Sequence, residues 1–227
     1  MLQSSRPLLI GITGNIGSGK STFCNLLESL GISVYYADTI ANQRLEDPEV
    51  IKALLNRYSP NDLCDEQHPN RVDRKKLAII VFNDTKEVEF LNSLIHPLVL
   101  KDMQEIVDNF DPKSYSQFSI HNSQFDISNV LCFEIPLLFE AGLEHCFDFI
   151  VLVYATEPTR LDRLIAKGES DVNARRRIEN QLDDSYKIDR VDWIIDNNGN
   201  KEQLQTAIHD LIAELHRIPK RTIAPFA

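Results

Sequence analysis

The residues best placed to do chemistry come early, in the run Gly14-Asn15-Ile16-Gly17-Ser18-Gly19-Lys20-Ser21, with Thr22 directly after. Glycines at this spacing let the backbone wrap tightly and turn its N–H groups inward, and the following lysine and hydroxyl residues add a cation and a metal ligand. That combination binds polyphosphate. Backbone amides and a helix N-terminus hold phosphate oxygens. Lys20 would reach the β- and γ-phosphates, and the Ser21 hydroxyl would ligate Mg²⁺. Asn15, Ser18 and Thr22 belong to the same nucleotide-binding segment. A second candidate is Asp38, a carboxylate placed to serve as base for an acceptor hydroxyl; its alternative is a strand-end Asp that caps the next helix. A third is a late cluster of cations, Arg160, Arg163, Lys167 and Arg175-Arg176-Arg177. Such a cluster suits a lid that closes over a transferring phosphoryl group, or else the solvated face of a charged helix.

These residues need elements to position them. Leu8-Leu9-Ile10-Gly11-Ile12 is a short apolar run of the kind a buried parallel strand shows, and Phe23, Leu26, Leu27 and Leu30 stripe a helix that Gly31 can end. The glycine-rich run therefore lies between a strand and a helix. Ser33–Asp38 reads as a second strand that ends on its carboxylate. Residues 39–110 are mostly helical in pattern, with a Pro/Asn/Asp-rich loop at 58–72. Residues 111–129 read as a long mobile connection with a short edge strand at Gln117–Ile120. Asn129–Ile135, Phe147–Tyr154 and Trp193-Ile194-Ile195 read as further strands. Thr156–Lys167 is helical with Leu161, Leu164 and Ile165 on one face, and Leu204, Ile208, Leu211, Ile212 and Leu215 stripe a last helix. Strands alternating with helices imply a parallel sheet wrapped by helices, with the ligand at the C-terminal ends of the strands. That rule brings Asp38, Glu134 and the segment after Asp196 toward the glycine-rich loop.

Composition bounds the reading. The chain has 227 residues, enough for one α/β core with one or two insertions, and at 43% hydrophobic and 26% charged it is ordinary for a soluble protein. Its net charge of −10 argues against a nucleic-acid surface, which needs a basic stripe. The 4 cysteines are scattered without C-x-x-C spacing, and Cys24 and Cys132 read as reduced core thiols. No stretch has the layout of a signal peptide or a membrane span, so a cytoplasmic protein with no membrane partner is expected. The loop by itself does not separate a kinase from a GTPase or a motor ATPase. A GTPase should carry N-K-x-D, which this sequence lacks, and a small-molecule kinase fits the short chain best. Oligomeric state is open.

Further motifs give a resemblance. GITGNIGSGKST, YADTIA, VDRKKLAIIVF followed by IHPLV, EIPLLFE, RRIENQ and DWIIDNNG occur in that order between about residues 8 and 215. Together they resemble the dephospho-coenzyme A kinase family. The resemblance implies a three-layer α/β P-loop NTPase fold with a mainly parallel sheet, a helical acceptor-binding insertion at 41–95 and a lid at 167–189. The core would then comprise 1–40, 96–166 and 190–227. It also implies ATP as donor, Mg²⁺ as cofactor and the ribose 3′-hydroxyl of dephospho-CoA as acceptor. The alternative is another P-loop small-molecule kinase, for nucleosides, nucleotides or shikimate. Carried over by motif, Asp38 is the acid at the acceptor hydroxyl, and Lys20 and Arg177 are the catalytic cations. Glu134 stands beside Ser21 as a candidate for Mg²⁺, and Gln181 matches the lid pattern. Arg74, His96 and Glu140 are candidates on the acceptor side. Asn197 and Asn198 end the last strand and are candidates to read the base. Three positions depart from the family pattern: Tyr36 stands where the family has its first Asp, Glu134 where many relatives have an Asp, and Lys167 where an Arg is common, which keeps charge but loses bidentate geometry.

Overall fold

Leu8–Thr13 is buried along its whole length, and a strand apolar on both faces can only be interior to a covered sheet. It is β1, the centre of a five-stranded sheet of order β2-β5-β1-β6-β7. The computed structural model describes residues 6–65, 68–81, 84–112, 127–215 and 217–226. The other strands are β2 (Ser33–Tyr36), β5 (Val130–Glu134), β6 (Phe149–Tyr154) and β7 (Trp193–Asp196), and every pairing is parallel. β5 is as buried as β1, and β6 is buried up to its last residue, whereas the edge strands β2 and β7 are only partly so.

One face of this sheet presents Leu8, Ile10 and Ile12 of β1 with Cys132, Val151 and Val153 of its neighbours. Against it lie Phe23, Cys24 and Leu27 of α1 (Lys20–Ser29) and the Leu204, Ile208, Leu211, Ile212 and Leu215 stripe of α10 (Lys201–Leu215). Both helical stripes stand as the periodicity predicts, and Gly31 ends α1 with a φ of 86°. On the other face Phe133 meets Phe147 edge-on, with centroids 6.3 Å apart. All four cysteines are buried free thiols.

The chain divides into two compact units, Met1–Tyr36 with Val107–Pro225, and Ala37–Ile106 with Phe226–Ala227. The first carries the sheet, α1 and α10, and also α7 (Glu157–Ala166), α8 (Asp171–Glu179) and α9 (Asp184–Ile188). Leu161 and Leu164 of α7 pack on Ala174 and Ile178 of α8, with Ile16 of the glycine-rich loop against them. Ile165, expected on the same face, is 42% exposed.

The second unit holds α2 (Ala37–Arg44), α3 (Pro48–Arg57), α4 (Pro60–Leu63), α5 (Arg74–Val81) and most of α6 (Thr85–Asp108). Asp47 caps α3 by accepting from the Glu49 N–H at 3.0 Å. Arg57 pairs with Glu87 at 2.7 Å and, together with the Tyr58 hydroxyl, holds the Glu87 carboxyl down to about 2. Arg44 of α2 pairs with Asp102 of α6.

Three expectations change here. The second strand stops at Tyr36, and Asp38 lies in the first turn of α2, where an acidic side chain suits the positive helix end. The loop expected at 58–72 contains α4 and a hairpin of β3 (Cys64–Asp65) with β4 (His68–Val72). His96-Pro97 lies inside α6. Ile95, Val99, Met103 and Val107 form the buried stripe of that helix, while His96 and Pro97 are exposed. The N–H that Pro97 lacks is thus lost on a face where water can serve the Ser93 carbonyl instead. The second unit accordingly runs to Ile106, beyond the expected boundary at 95. The edge strand expected at 117–120 falls outside the described residues.

Candidate active site

The loop leaves β1 at Thr13 and enters α1 at Lys20. Its turns depend on glycine at two places in particular. Gly19 sits at a φ of 94°, and a Cβ there would run into the Asn197 amide; Gly17, at 77°, has the Arg160 carbonyl 2.8 Å from where its Cβ would be. No side chain caps α1, so the first turn of that helix keeps its N–H groups for an anion. Lys20 Nζ donates to the Gly14 carbonyl at 2.7 Å and lies 3.8 Å from a Glu134 carboxylate oxygen. Glu134 ends β5 and is itself buried. Ser21 and Thr22 are exposed. These features cluster at the C-terminal edge of the sheet, as the topology requires.

Beside the loop opens a cavity of about 670 Å³, lined among others by Gly19, Ser21, Arg163, Lys167, Arg177 and Asn200. That is room for a nucleotide-sized ligand. Its cations differ in state. Arg163 is committed to the backbone: its guanidinium donates to the Gly17, Ser18 and Asn197 carbonyls at 3.3, 3.2 and 2.7 Å. Arg177 is half exposed and pairs with Glu169 at 2.5 Å.

The side chains of the two asparagines after β7 are hydrogen-bonded within the protein, and Asn197 also lines the cavity. The buried Asn197 donates to the Ser18 carbonyl at 2.7 Å, and the Asn198 side-chain oxygen accepts from the Thr156 N–H at 2.8 Å. What they contribute is shape, joining the end of β7 to the loop and to the start of α7. Gln181 accepts from the Ile16 N–H at 2.7 Å, so the lid motif reaches the loop backbone. Tyr36, the departure at the end of β2, donates to Glu28 of α1 at 3.1 Å, and burial pushes its hydroxyl pKa up. It is a neutral group there, where the family's Asp would bring a charge.

In the second unit, α2 connects two of the acceptor candidates. The Asn42 side chain donates to the Asp38 carbonyl at 2.8 Å, and Arg74 donates to the Asn42 carbonyl and to Glu46, each at 3.1 Å. The Asp38 side chain is exposed. His96 is exposed on α6. Glu140, grouped with these from its motif, lies in the first unit, 3.4 Å from Lys187 Nζ. Sequence reasoning missed Lys187, because a lysine in a polar segment looks solvated until its neighbours are known. It also gave Arg163 to a lid, when its bonds make it a clamp on the loop.

The arrangement suits a triphosphate: a glycine cradle, an uncapped helix start, an ammonium group and an exposed hydroxyl. Among the described residues no group of three or more His, Cys, Asp or Glu could hold a metal ion. Ser21 and Glu134 are residues that could ligate a cation in company with phosphate oxygens, as Mg²⁺ sites on nucleotides do.

The family model for dephospho-CoA kinase matches residues 8–203. A dephospho-CoA kinase from Chlorobaculum tepidum is 33% identical over 216 residues, 94% of this chain and 98% of that protein. A solved structure from Thermus thermophilus superposes with a TM-score of 0.72 at 33% identity, covering 92% of this chain and 98% of that one. The dephospho-CoA kinase of Campylobacter jejuni gives 0.66 at 25% identity, over 92% and 97%.

Proposed function

The chain belongs to the dephospho-CoA kinase family, and from that premise we propose how its residues divide the transfer of the ATP γ-phosphoryl group to the ribose 3′-hydroxyl of dephospho-CoA. The observation that carries the reading is the uncapped start of α1, with Lys20 and the exposed Ser21 beside a cavity of nucleotide size. The loop amides and Lys20 hold the triphosphate. Ser21 and Glu134 would hold Mg²⁺ together with phosphate oxygens, where it would supply positive charge to the transferring group. Arg177 leaves Glu169 for the γ-phosphate when the lid closes. Asp38 orients the acceptor hydroxyl and takes its proton, with Arg74 and His96 serving the acceptor from the same unit. A cytoplasmic location goes with this reading, as do the four free thiols.

The test is ADP release against a panel of acceptors. Dephospho-CoA should stimulate it, and the product should carry its phosphate on the ribose 3′ position. Equal stimulation by adenosine, AMP or shikimate, with none by dephospho-CoA, would sink the reading.

A further inference from the structure

Lys187 is fully buried, which a lysine reaches only when its ammonium is held by specific partners. Its Nζ donates to the Asn15 side-chain oxygen at 2.6 Å and pairs with Glu140 at 3.4 Å. Asn15, only 3% exposed, is held at its other end too: its Nδ2 donates to the Leu182 carbonyl at 3.1 Å and to Asp184 at 2.8 Å. Asp184 in turn pairs with the buried Arg160 at 3.1 Å, directly beneath Gly17. Burial raises the Asp184 carboxyl pKa, so its charge depends on those cations. With the Gln181 bond to the Ile16 N–H, the segment 181–187 grips the outer turn of the phosphate loop at both of its non-glycine positions before Gly17.

We propose that Lys187 is a positioning residue for the nucleotide. Acting through Asn15 and anchored by Glu140, it fixes the loop in its binding shape before ATP arrives. Residues 181–187 are then a fixed buttress rather than part of the moving lid, whose mobile portion shrinks to α8 and its flanks. The proposal rests on the reading of this loop as the ATP site. It gives Glu140 a task on the donor side, in place of the acceptor contact that its motif suggests.

The chemistry makes the effect selective. Removing the ammonium leaves Asn15 with an unpaired buried acceptor, which can recover a partner only if the turn moves. A displaced turn misaligns the amides that hold phosphate, so ATP affinity falls, while the acceptor has no reason to respond.

ATP affinity is measured by titration without any acceptor, and both KM values by coupled assay, for Lys187→Met, Asn15→Ala, their double variant and Glu140→Gln. Lys187→Met and Asn15→Ala should each weaken ATP binding about tenfold, and the double variant should be no weaker than about that, because the two act as one unit. Glu140→Gln, at a side chain that is one-quarter exposed, should raise the KM for ATP about threefold and leave the acceptor KM unchanged. If Lys187→Met does not fold, Asn15→Ala and Glu140→Gln decide the matter. Folded variants with wild-type ATP affinity overturn the proposal. So do losses that add in the double variant, or a Glu140→Gln that raises only the acceptor KM. A wild-type chain that fails to bind ATP would instead remove the reading of the loop itself. The titration needs no acceptor, so an error over the acceptor leaves it intact.

Discussion

Asp38 and Arg177 sit in unlike settings, and the difference sets what each substitution should do. Asp38 is exposed in the first turn of α2. Asp38→Asn keeps the shape and removes the proposed base, so turnover should fall about 10²–10⁴-fold, the usual cost of losing a general base. ATP affinity, held by the loop amides and Lys20, should stay near wild type. Titration of ATP and a coupled assay on one preparation check both. If ATP binding collapses while kcat at saturation is normal, Asp38 serves the metal or the fold. Arg177 is half exposed and already paired with Glu169, so in the proposed role it would reach ATP only after exchanging partners. A cation engaged on closure stabilises the transition state more than the ground state. Arg177→Ala should therefore cost about 10²-fold in kcat, less than a full arginine finger because Lys167 lines the same cavity, with a smaller change in ATP Kd. An unchanged kcat would return Arg177 to the solvated face of α8.

At the scale of elements, the junction of β1, the loop and α1 carries the site, and Gly19 is its tightest point. Gly19→Ala would place a Cβ at a φ of 94°, which costs about 1–2 kcal/mol for an L-residue. It would also displace the Asn197 amide from the Ser18 carbonyl. The fold should survive, with melting lowered by a few degrees, while ATP Kd rises by about tenfold or more because the α1 amides lose their alignment. Calorimetric titration and a thermal melt separate the two effects. Retained ATP affinity would show that the loop tolerates the strain. The glycine spacing made this junction legible in the sequence. The clamp that closes over it, formed by Arg163, Asn197 and Gln181, was not, because its bonds reach Ile16, Gly17 and Ser18 from residues more than 140 positions away.

For the whole molecule, the edge of the sheet opposite the site is closed by charge. Asp148, buried just before β6, accepts from Arg6 at 2.5 and 2.8 Å, from the Leu9 N–H at 2.9 Å and from the Arg221 N–H at 2.6 Å. Arg221 also pairs with Asp192 before β7. Residues near both ends of the chain are thus stapled to one carboxylate. Burial works to raise the Asp148 pKa, but these donors outweigh it and hold the carboxyl below its usual range. A depressed carboxylate stabilises the fold fully above its unfolded value, near pH 4, and that stability is lost as pH falls through the lower folded value. Asp148→Asn should cost about 3 kcal/mol at pH 7, the scale of breaking a buried ion pair from one side, and should flatten the acid limb. Urea unfolding between pH 2 and 7 on both proteins measures it. Parallel curves would mean that the staple contributes no pH dependence.

The sequence by itself determined the phosphate loop, the strand–helix alternation, the stripes of α1 and α10 and the family, because each is written in local spacing. The apolar period that makes a helix, and the glycines that make the loop, act between near neighbours and can be read without coordinates. Only the tertiary structure decided where polar side chains point. It moved Asp38 from strand end to helix start and carried α6 through Pro97. It turned Asn197 and Asn198 toward the protein and buried Lys187 against Asn15 and Glu140. A lysine or asparagine has no fixed preference between solvent and a partner. The choice is made when a distant segment supplies an acceptor and excludes water, and that pairing exists only once the sheet has brought residues 15, 140 and 187 together.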